Sequence, residues 1–311
     1  MEQSPMEKQK TESKNISIEE LLRIPKDEPN PYIALQNKLD EIILEKRDSL
    51  WTPGEVEDIK IGDYFVEYGG MDLHLCDVVG KYASLGEDMD AGLAYGLEKN
   101  VLIEADGTPI LVADLHNFAA PFILEAIESG KLQMGSSMDH LDFHSDMGST
   151  DEKEFTDYTP KNLSEKEKVR YLLKNSRIGT WQNFPIIESG AVAKDKWRWL
   201  RLNESGAWIQ KDEKEKTIDE KPTMDHEPDI LDIDLDFLCM EDEKLSEEEK
   251  RGVLSGIIPK NIADKISDTI HLSVKAKIIT LVTSPTFIHQ KRAIEYAKYF
   301  IGKYKESKKE K

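Results

Sequence analysis

The chain has 311 residues, 39% of them hydrophobic, which suffices for one large α/β domain or two smaller ones and excludes a disordered chain. Its 42 Lys and Arg stand against 61 Asp and Glu, a formal charge of -19 that disfavours nucleic acid and favours cationic ligands. Cys76 and Cys239 are too few and too far apart for a disulfide scaffold. No apolar run reaches the roughly 18 to 20 residues of a membrane span, and no apolar signal core follows the first lysines. A soluble, cytoplasmic protein with no membrane partner is expected.

In chain order, Met1 to Asn30 is a polar segment with little apolar surface to bury, and only Ile18 to Ile24 reads as a short helix. Ile33, Leu35, Leu39, Ile42, Ile43 and Leu44 recur at helical spacing and predict a helix over Pro31 to Arg47. Glu57 to Cys76 holds several short strand candidates, with Tyr68 to Met71 as a turn, and Ala91 to Tyr95 is ambiguous. Val101 to Ala105 and Pro109 to Ala113 flank Asp106-Gly107 and predict a strand pair around a tight turn. Pro121 to Ile127 then carries a helical pattern ending near Gly130.

Met147 to Thr159 reads as a loop and Ser164 to Leu173 as a helix capped by Ser164 with Glu167. Trp181, Phe184, Trp197 and Trp199 read as core or pocket wall. The charge-rich residues 211–228 predict a surface insertion. A helical segment covers Ile257 to Leu272, a buried strand Lys277 to Thr283, and a final helix about His289 to Tyr304 before a basic tail at 306–311. Strands alternating with helices predict an α/β fold: a three-layer α/β/α sandwich with a mainly parallel central sheet over residues 31–305.

The chemistry concentrates in three places. His116 follows the strand Ile110 to Ala113 and precedes a helix, where open α/β sheets place their ligands. In Asp142-Phe143-His144-Ser145-Asp146, three potential metal ligands alternate with two other residues, and strand geometry puts the three on one face. In Leu231-Asp232-Ile233-Asp234-Leu235-Asp236-Phe237, the same alternation gathers three carboxylates, which repel unless cations or protons neutralise them. Phe237 stands where a calcium-binding EF-hand loop needs glycine, so a strand is the better reading. Each feature also has a structural reading, His116 as a hydrogen-bonded core histidine and the aspartates as solvated loops. His140 reads as a support for the site or as core.

Carboxylate and imidazole ligands favour Mn²⁺, Zn²⁺, Fe²⁺ or Mg²⁺. A tetrahedral zinc needs only three protein ligands, whereas two ions about 3.5 to 4 Å apart would use six.

On these residues the chain resembles the ureohydrolase (arginase and agmatinase) superfamily, and in particular the peptide arginases of ribosomal peptide biosynthesis. Asp142-Phe143-His144-Ser145-Asp146 is similar to its Asp-x-His-x-Asp motif, Leu231 to Asp236 to its Leu-Ser-Ile-Asp-x-Asp strand, and His116 holds the place of its first histidine ligand. The resemblance covers roughly residues 100 to 300. It implies the arginase-like form of the sandwich and two Mn²⁺ ions per chain. One would be held by His116, Asp142, Asp146 and Asp234, the other by Asp142, His144, Asp234 and Asp236. A register using Asp232 and Asp234 is the alternative; the register using Asp234 and Asp236 is preferred, because Asp232 then falls where the family has Ser. The implied reaction is attack of an activated water on a guanidinium carbon, with Asp142 and Asp146 as catalytic residues, yielding ornithine and urea. The implied partner is an arginine-containing peptide, and oligomerisation is left open.

Two departures bear on the substrate. Val282 stands where the family keeps a guanidinium-binding Glu, and no histidine lies between His144 and His226 to serve as the usual proton shuttle. Glu125 and Glu188 are the candidates for the missing carboxylate. Other readings are a mononuclear zinc deacetylase, which usually has adjacent histidines where this chain has His116-Asn117, and a non-catalytic module that binds a metal or a basic peptide. A phosphotransferase using Asp232 and Asp234 is disfavoured by Asp236, because that motif has Thr or Val there.

Overall fold

The computed structural model describes residues 50–68, 75–79, 82–85, 92–147, 186–187, 189–212, 214, 216–220, 222–223, 227–284 and 287–309, with side chains outside 63–95. The helices expected at Ile18 to Ile24, Pro31 to Arg47 and Ser164 to Leu173, with Trp181, Phe184 and the Tyr68 to Met71 turn as a whole, lie outside the described residues.

The strands in chain order are β1 (Thr52–Pro53), β2 (Ile61–Tyr68), β3 (Leu75–Val79), β4 (Tyr82–Leu85), β5 (Gly92–Leu97), β6 (Val101–Ala105), β7 (Thr108–Ala113), β8 (Ser136–Leu141), β9 (Val192–Leu202), β10 (Trp208–Lys211), β11 (Thr217–Asp219), β12 (Ile230–Asp234) and β13 (Ile278–Val282). The helices are α1 (Ala119–Glu128), α2 (Cys239–Glu243), α3 (Glu247–Val253), α4 (Lys260–Ser273) and α5 (Gln290–Lys309).

Asp106 and Gly107 take φ values of 51° and 81°, the paired left-handed conformation of the tightest hairpins. They join β6 to β7 in antiparallel register. β7 enters a nine-stranded sheet of order β1-β6-β7-β13-β12-β8-β9-β10-β11. Its centre, from β7 through β13, β12 and β8 to β9, is parallel throughout. β10 and β11 extend it by antiparallel pairing, so the charge-rich stretch carries a sheet edge.

Side-chain alternation builds a core on each face. Ile110, Val112, Leu231, Ile233, Leu141, Ile279 and Leu281 meet Ile262, Ile266 and Ile270 of α4 and Ala297, Phe300 and Ile301 of α5. Leu111, Ala113, Met138, Ile230 and Ile278 meet Phe122, Ile123 and Ala126 of α1 on the other face. The chain is therefore α/β, with a large, mostly parallel sheet between helices, compatible with a three-layer sandwich.

Two polar residues break this pattern with purpose. Asp232 and His140 share the face of Ile230 and Met138 by alternation, and they are direct cross-strand partners, as are Asp232 and Thr280. A row of fully buried polar side chains thus crosses three central strands.

The strand candidates before residue 97 form a separate antiparallel sheet of order β2-β5-β4-β3. The ambiguous Ala91 to Tyr95 contributes β5 from Gly92 onward. No helix among the described residues is long and apolar enough to cross a membrane.

Candidate metal centre

Four adjacent parallel strands end at one edge of the sheet and deliver the site. β7 ends at Ala113 and leads into a 3-10 turn, His116–Phe118, whose residues are buried. β8 ends at Leu141, while the Asp142 N–H still donates to Leu200 O of β9 at 3.2 Å. β12 ends at Asp234, whose Oδ1 accepts from Asp236 N–H at 3.0 Å and so caps the 3-10 turn Leu235–Leu238. β13 ends at Val282, and Ser284 just beyond it has φ 38°.

The strand geometry expected for the ligand stretches is corrected here. Asp236 does not continue the face of Asp232 and Asp234, and Asp142 to Asp146 lie beyond the end of β8. Three alternate residues of a straight strand span roughly 13 Å, too long a row for all three to meet at one centre. The turn after Asp234 and the bend after Leu141, in which Asp146 takes φ 49°, bring the side chains together.

The result is a buried cluster centred on His116. Its Nδ1 lies 2.9 Å from Asp146 Oδ2, 3.1 Å from Asp142 Oδ2 and 3.2 Å from Asp234 Oδ2. Its other nitrogen, Nε2, lies 2.9 Å from Asp232 Oδ2. Beside this group, His144 Nδ1 is 2.9 Å from Asp236 Oδ2 and 3.7 Å from Asp142 Oδ1. The six residues expected as ligands are therefore gathered in two overlapping sets. Ligand atoms of Asp142, His144 and Asp236 fall within 4.8 Å of one another, as do those of His116, His140 and Asp142.

Backbone and hydroxyl donors fix the carboxylates. Asp236 Oδ1 accepts from Phe143 N–H at 3.0 Å, Asp142 Oδ1 from His144 N–H at 2.6 Å, and Asp234 Oδ2 from the Ser284 hydroxyl. Asp232 stands behind the cluster. It accepts from His116 Nε2, from His140 Nδ1 at 2.6 Å and from the Thr280 hydroxyl. Burial opposes its ionisation, but the His116 charge and the bonds from both imidazoles hold its carboxyl well below the usual range. An ionised Asp232 can only accept, so both rings donate to it, and His116 keeps Nδ1 for the cluster.

The cluster is poised to take positive charge. Burial raises the Asp142 carboxyl well above its usual range, and the charges of Asp236, Asp146 and Asp234 raise it further. Asp234 is raised by burial and by Asp236. Burial lowers His144, but its bond to Asp236 and the surrounding carboxylates overcome this and raise it to about 9. In His116, burial is likewise outweighed, chiefly by the Asp232 charge.

These residues fit cations. Asp142 Oδ2 is buried with no hydrogen bond, and one imidazole N–H cannot point at three oxygens around it. A cation among them satisfies every lone pair at once. The buried His and Asp groups can hold metal ions. Because the imidazoles of His116 and His144 are both raised above their ordinary range and must be neutral to coordinate, ion binding should release protons, and affinity should climb as pH rises through about 9, where His144 gives up its proton. Titration calorimetry of Mn²⁺ in buffers of different ionisation enthalpy reads the released protons directly, and buffer-independent heats would contradict the assignment.

Other expected residues lie elsewhere. Glu125 is exposed on α1, on the side away from the sheet core that Phe122, Ile123 and Ala126 face. It is not positioned as a guanidinium ligand, because the helix's apolar stripe turns it to solvent. Glu188 lies outside the described residues. Val282 is fully buried at the end of β13, opposite Asp234 and Ala113. Thr280 and Ser284 were not anticipated, and a Thr at an interior strand position carries no sequence signal of its partner. No family model, curated protein or solved structure matches the chain.

Proposed function

We propose that the chain is a binuclear metal hydrolase of guanidino groups, an arginase-like enzyme that converts arginine side chains in a ribosomally made peptide to ornithine and urea. The observation that carries this reading is the overlap of two ligand groups on one carboxylate, Asp142, with Asp234 beside it. Asp142 lies between His116 and His144, and Asp234 lies between His116 Nδ1 and the turn that presents Asp236. His116, Asp142, Asp146 and Asp234 would hold one ion, and Asp142, His144, Asp234 and Asp236 the other, with Mn²⁺ suited to this oxygen-rich set.

When bound, such a pair supplies Lewis acidity that makes a water nucleophilic near neutral pH. The chain's own groups do the rest. Asp146, buried and aimed at the same centre as Asp142, orients the attacking water. Burial of the carboxylates excludes competing solvent, while His144, whose side chain is 33% exposed, marks the open side. Water adds to the guanidinium carbon, the bond to the side-chain nitrogen breaks, and that nitrogen leaves as the ornithine amine once it takes up a proton. The resemblance in the ligand motifs and the position of Asp232 behind His116 both support the register that uses Asp234 and Asp236.

The test is mass spectrometry of arginine-containing peptides incubated with the Mn²⁺-loaded chain. A loss of one CN₂H₂ unit per reacting arginine is expected. Unchanged peptides, with free arginine or agmatine consumed instead, would reassign the substrate.

A further inference from the structure

Resting on the hydrolase reading, we infer that a second pocket on the same sheet edge, holding Arg201 and Lys211, is a subsite for a carboxylate of the peptide substrate, an acidic residue close to the target arginine. The pocket has a volume of about 470 Å³. It follows from the register at the sheet's β9-β10-β11 flank. Arg201 pairs with Ile209 and Lys211 with Thr217, so one face of three strands lines it, and the turn residues Asn203 and Ser205 close its end.

That face is the one the metal cluster uses. Trp199 is the cross-strand partner of His140, and Arg201 lies two residues farther toward the carboxyl edge. Arg201 also touches the cluster's own loop. Its guanidinium lies 4.0 Å from the centroid of the Phe143 ring, and Nη1 donates to Phe143 O at 3.0 Å. Phe143 in turn stacks edge-on to His144 at 5.2 Å between ring centroids. Through Phe143 the pocket thus borders the open side by His144, within reach of a peptide whose extended residues span about 3.3 to 3.6 Å each.

The charge balance singles the pocket out. In a chain of formal charge -19, basic side chains commonly find acidic partners, as Arg198 does with Asp139 and Arg292 with Asp242. Among the described residues, Arg201 and Lys211 form no ion pair. Arg201 bonds only carbonyl oxygens, Leu202 O and Phe143 O, and Lys211 lies over the Trp199 ring at 5.5 Å. Glu204 also borders the pocket, but it is exposed and pairs with neither. The Asn203 carboxamide oxygen is committed to the turn, accepting from Ser205 and Ala207. Arg201 and Lys211 thus offer a planar fork and a point charge to one carboxylate. The net charge draws basic peptides, and this pocket selects among them.

The experiment titrates the Mn²⁺-loaded full chain with paired synthetic peptides, each with one arginine and either Glu or Gln at flanking positions. Calorimetry reads affinity and urea release reads turnover. At least one Glu peptide should bind roughly tenfold tighter than its Gln twin, and raised salt should shrink that ratio. Lys211→Met, which meets the ligand loop only through the Trp199 ring, and Arg201→Met should each bring the ratio toward unity. Equal affinity of all pairs, or a preference that survives both substitutions, overturns the subsite. Displacement of the Glu peptide by inorganic phosphate but not by glutarate would reassign the pocket to a phosphorylated group and also overturn it. If the affinity ratio behaves as expected and no peptide releases urea, the subsite stands and the hydrolase reading falls.

Discussion

Asp142→Ala should abolish urea release and leave the chain unable to hold both ions. Asp142 stands between the two ligand sets, with Oδ2 3.1 Å from His116 Nδ1 and Oδ1 3.7 Å from His144 Nδ1. Its loss removes a ligand from both centres, whereas loss of an outer partner weakens one ligand and typically costs about 10- to 100-fold in affinity or activity. The effect should therefore exceed the upper end of that range. Metal analysis after dialysis, together with urea release, reads the result. The same substitution removes a buried carboxylate that burial and three like charges already push toward protonation, so the metal-free variant should melt no lower than the metal-free parent. A variant that keeps two ions and turns over would refute the bridging role.

Asp232→Asn should be severe in a different way. The carboxylate accepts from His116 and His140 on Oδ2 and from the Thr280 hydroxyl on Oδ1; a carboxamide can keep its oxygen toward the imidazoles and turn its NH2 to the Thr280 hydroxyl, which then accepts, but it removes the negative charge behind His116. His116 would then be backed by a neutral acceptor instead of a carboxylate and become a weaker ligand, and metal affinity should fall about 10- to 100-fold while two ions still bind at saturation. Asp236→Ala should instead lower the saturating stoichiometry, because Asp236 lies against His144 within its own ligand set. The comparison settles which aspartate pair coordinates. Lost stoichiometry in Asp232→Asn, with two ions retained in Asp236→Ala, would establish the other register.

Much of this arrangement is legible in sequence, for physical reasons. The buried runs of β7, β12 and β13 and the Asp-Gly hairpin are local signals, and they place His116, Asp142 and Asp234 at strand ends before any contact is known. What sequence leaves open depends on where a strand stops. Asp232, Asp234 and Asp236 look equivalent by alternation; the depth of Asp232 within β12 sets it behind His116, Asp234 ends the strand, and the turn at Leu235 brings Asp236 round to His144. The bond between His116 and Asp232 joins residues 116 apart, beyond any local pattern. Glu125 shows the opposite error, since nearness in sequence to the site says nothing about which side of a helix a residue occupies. The antiparallel sheet before residue 97 was legible only as scattered strands, because its pairing is set by register between segments of weak alternation.

Asp146 and Ser284, both at the cluster, hold left-handed backbone angles without being glycine. Such conformations cost of order 1 to 3 kcal/mol each and persist only when surrounding structure dictates them. Their side chains make glycine no substitute, since one faces His116 and the other bonds Asp234. The spacing of the site is therefore written in the main chain rather than in the packing beneath it. Drift in core side chains should leave ion selectivity intact, whereas a single inserted or deleted residue after β8 or β13 should erase it while the sheet still folds.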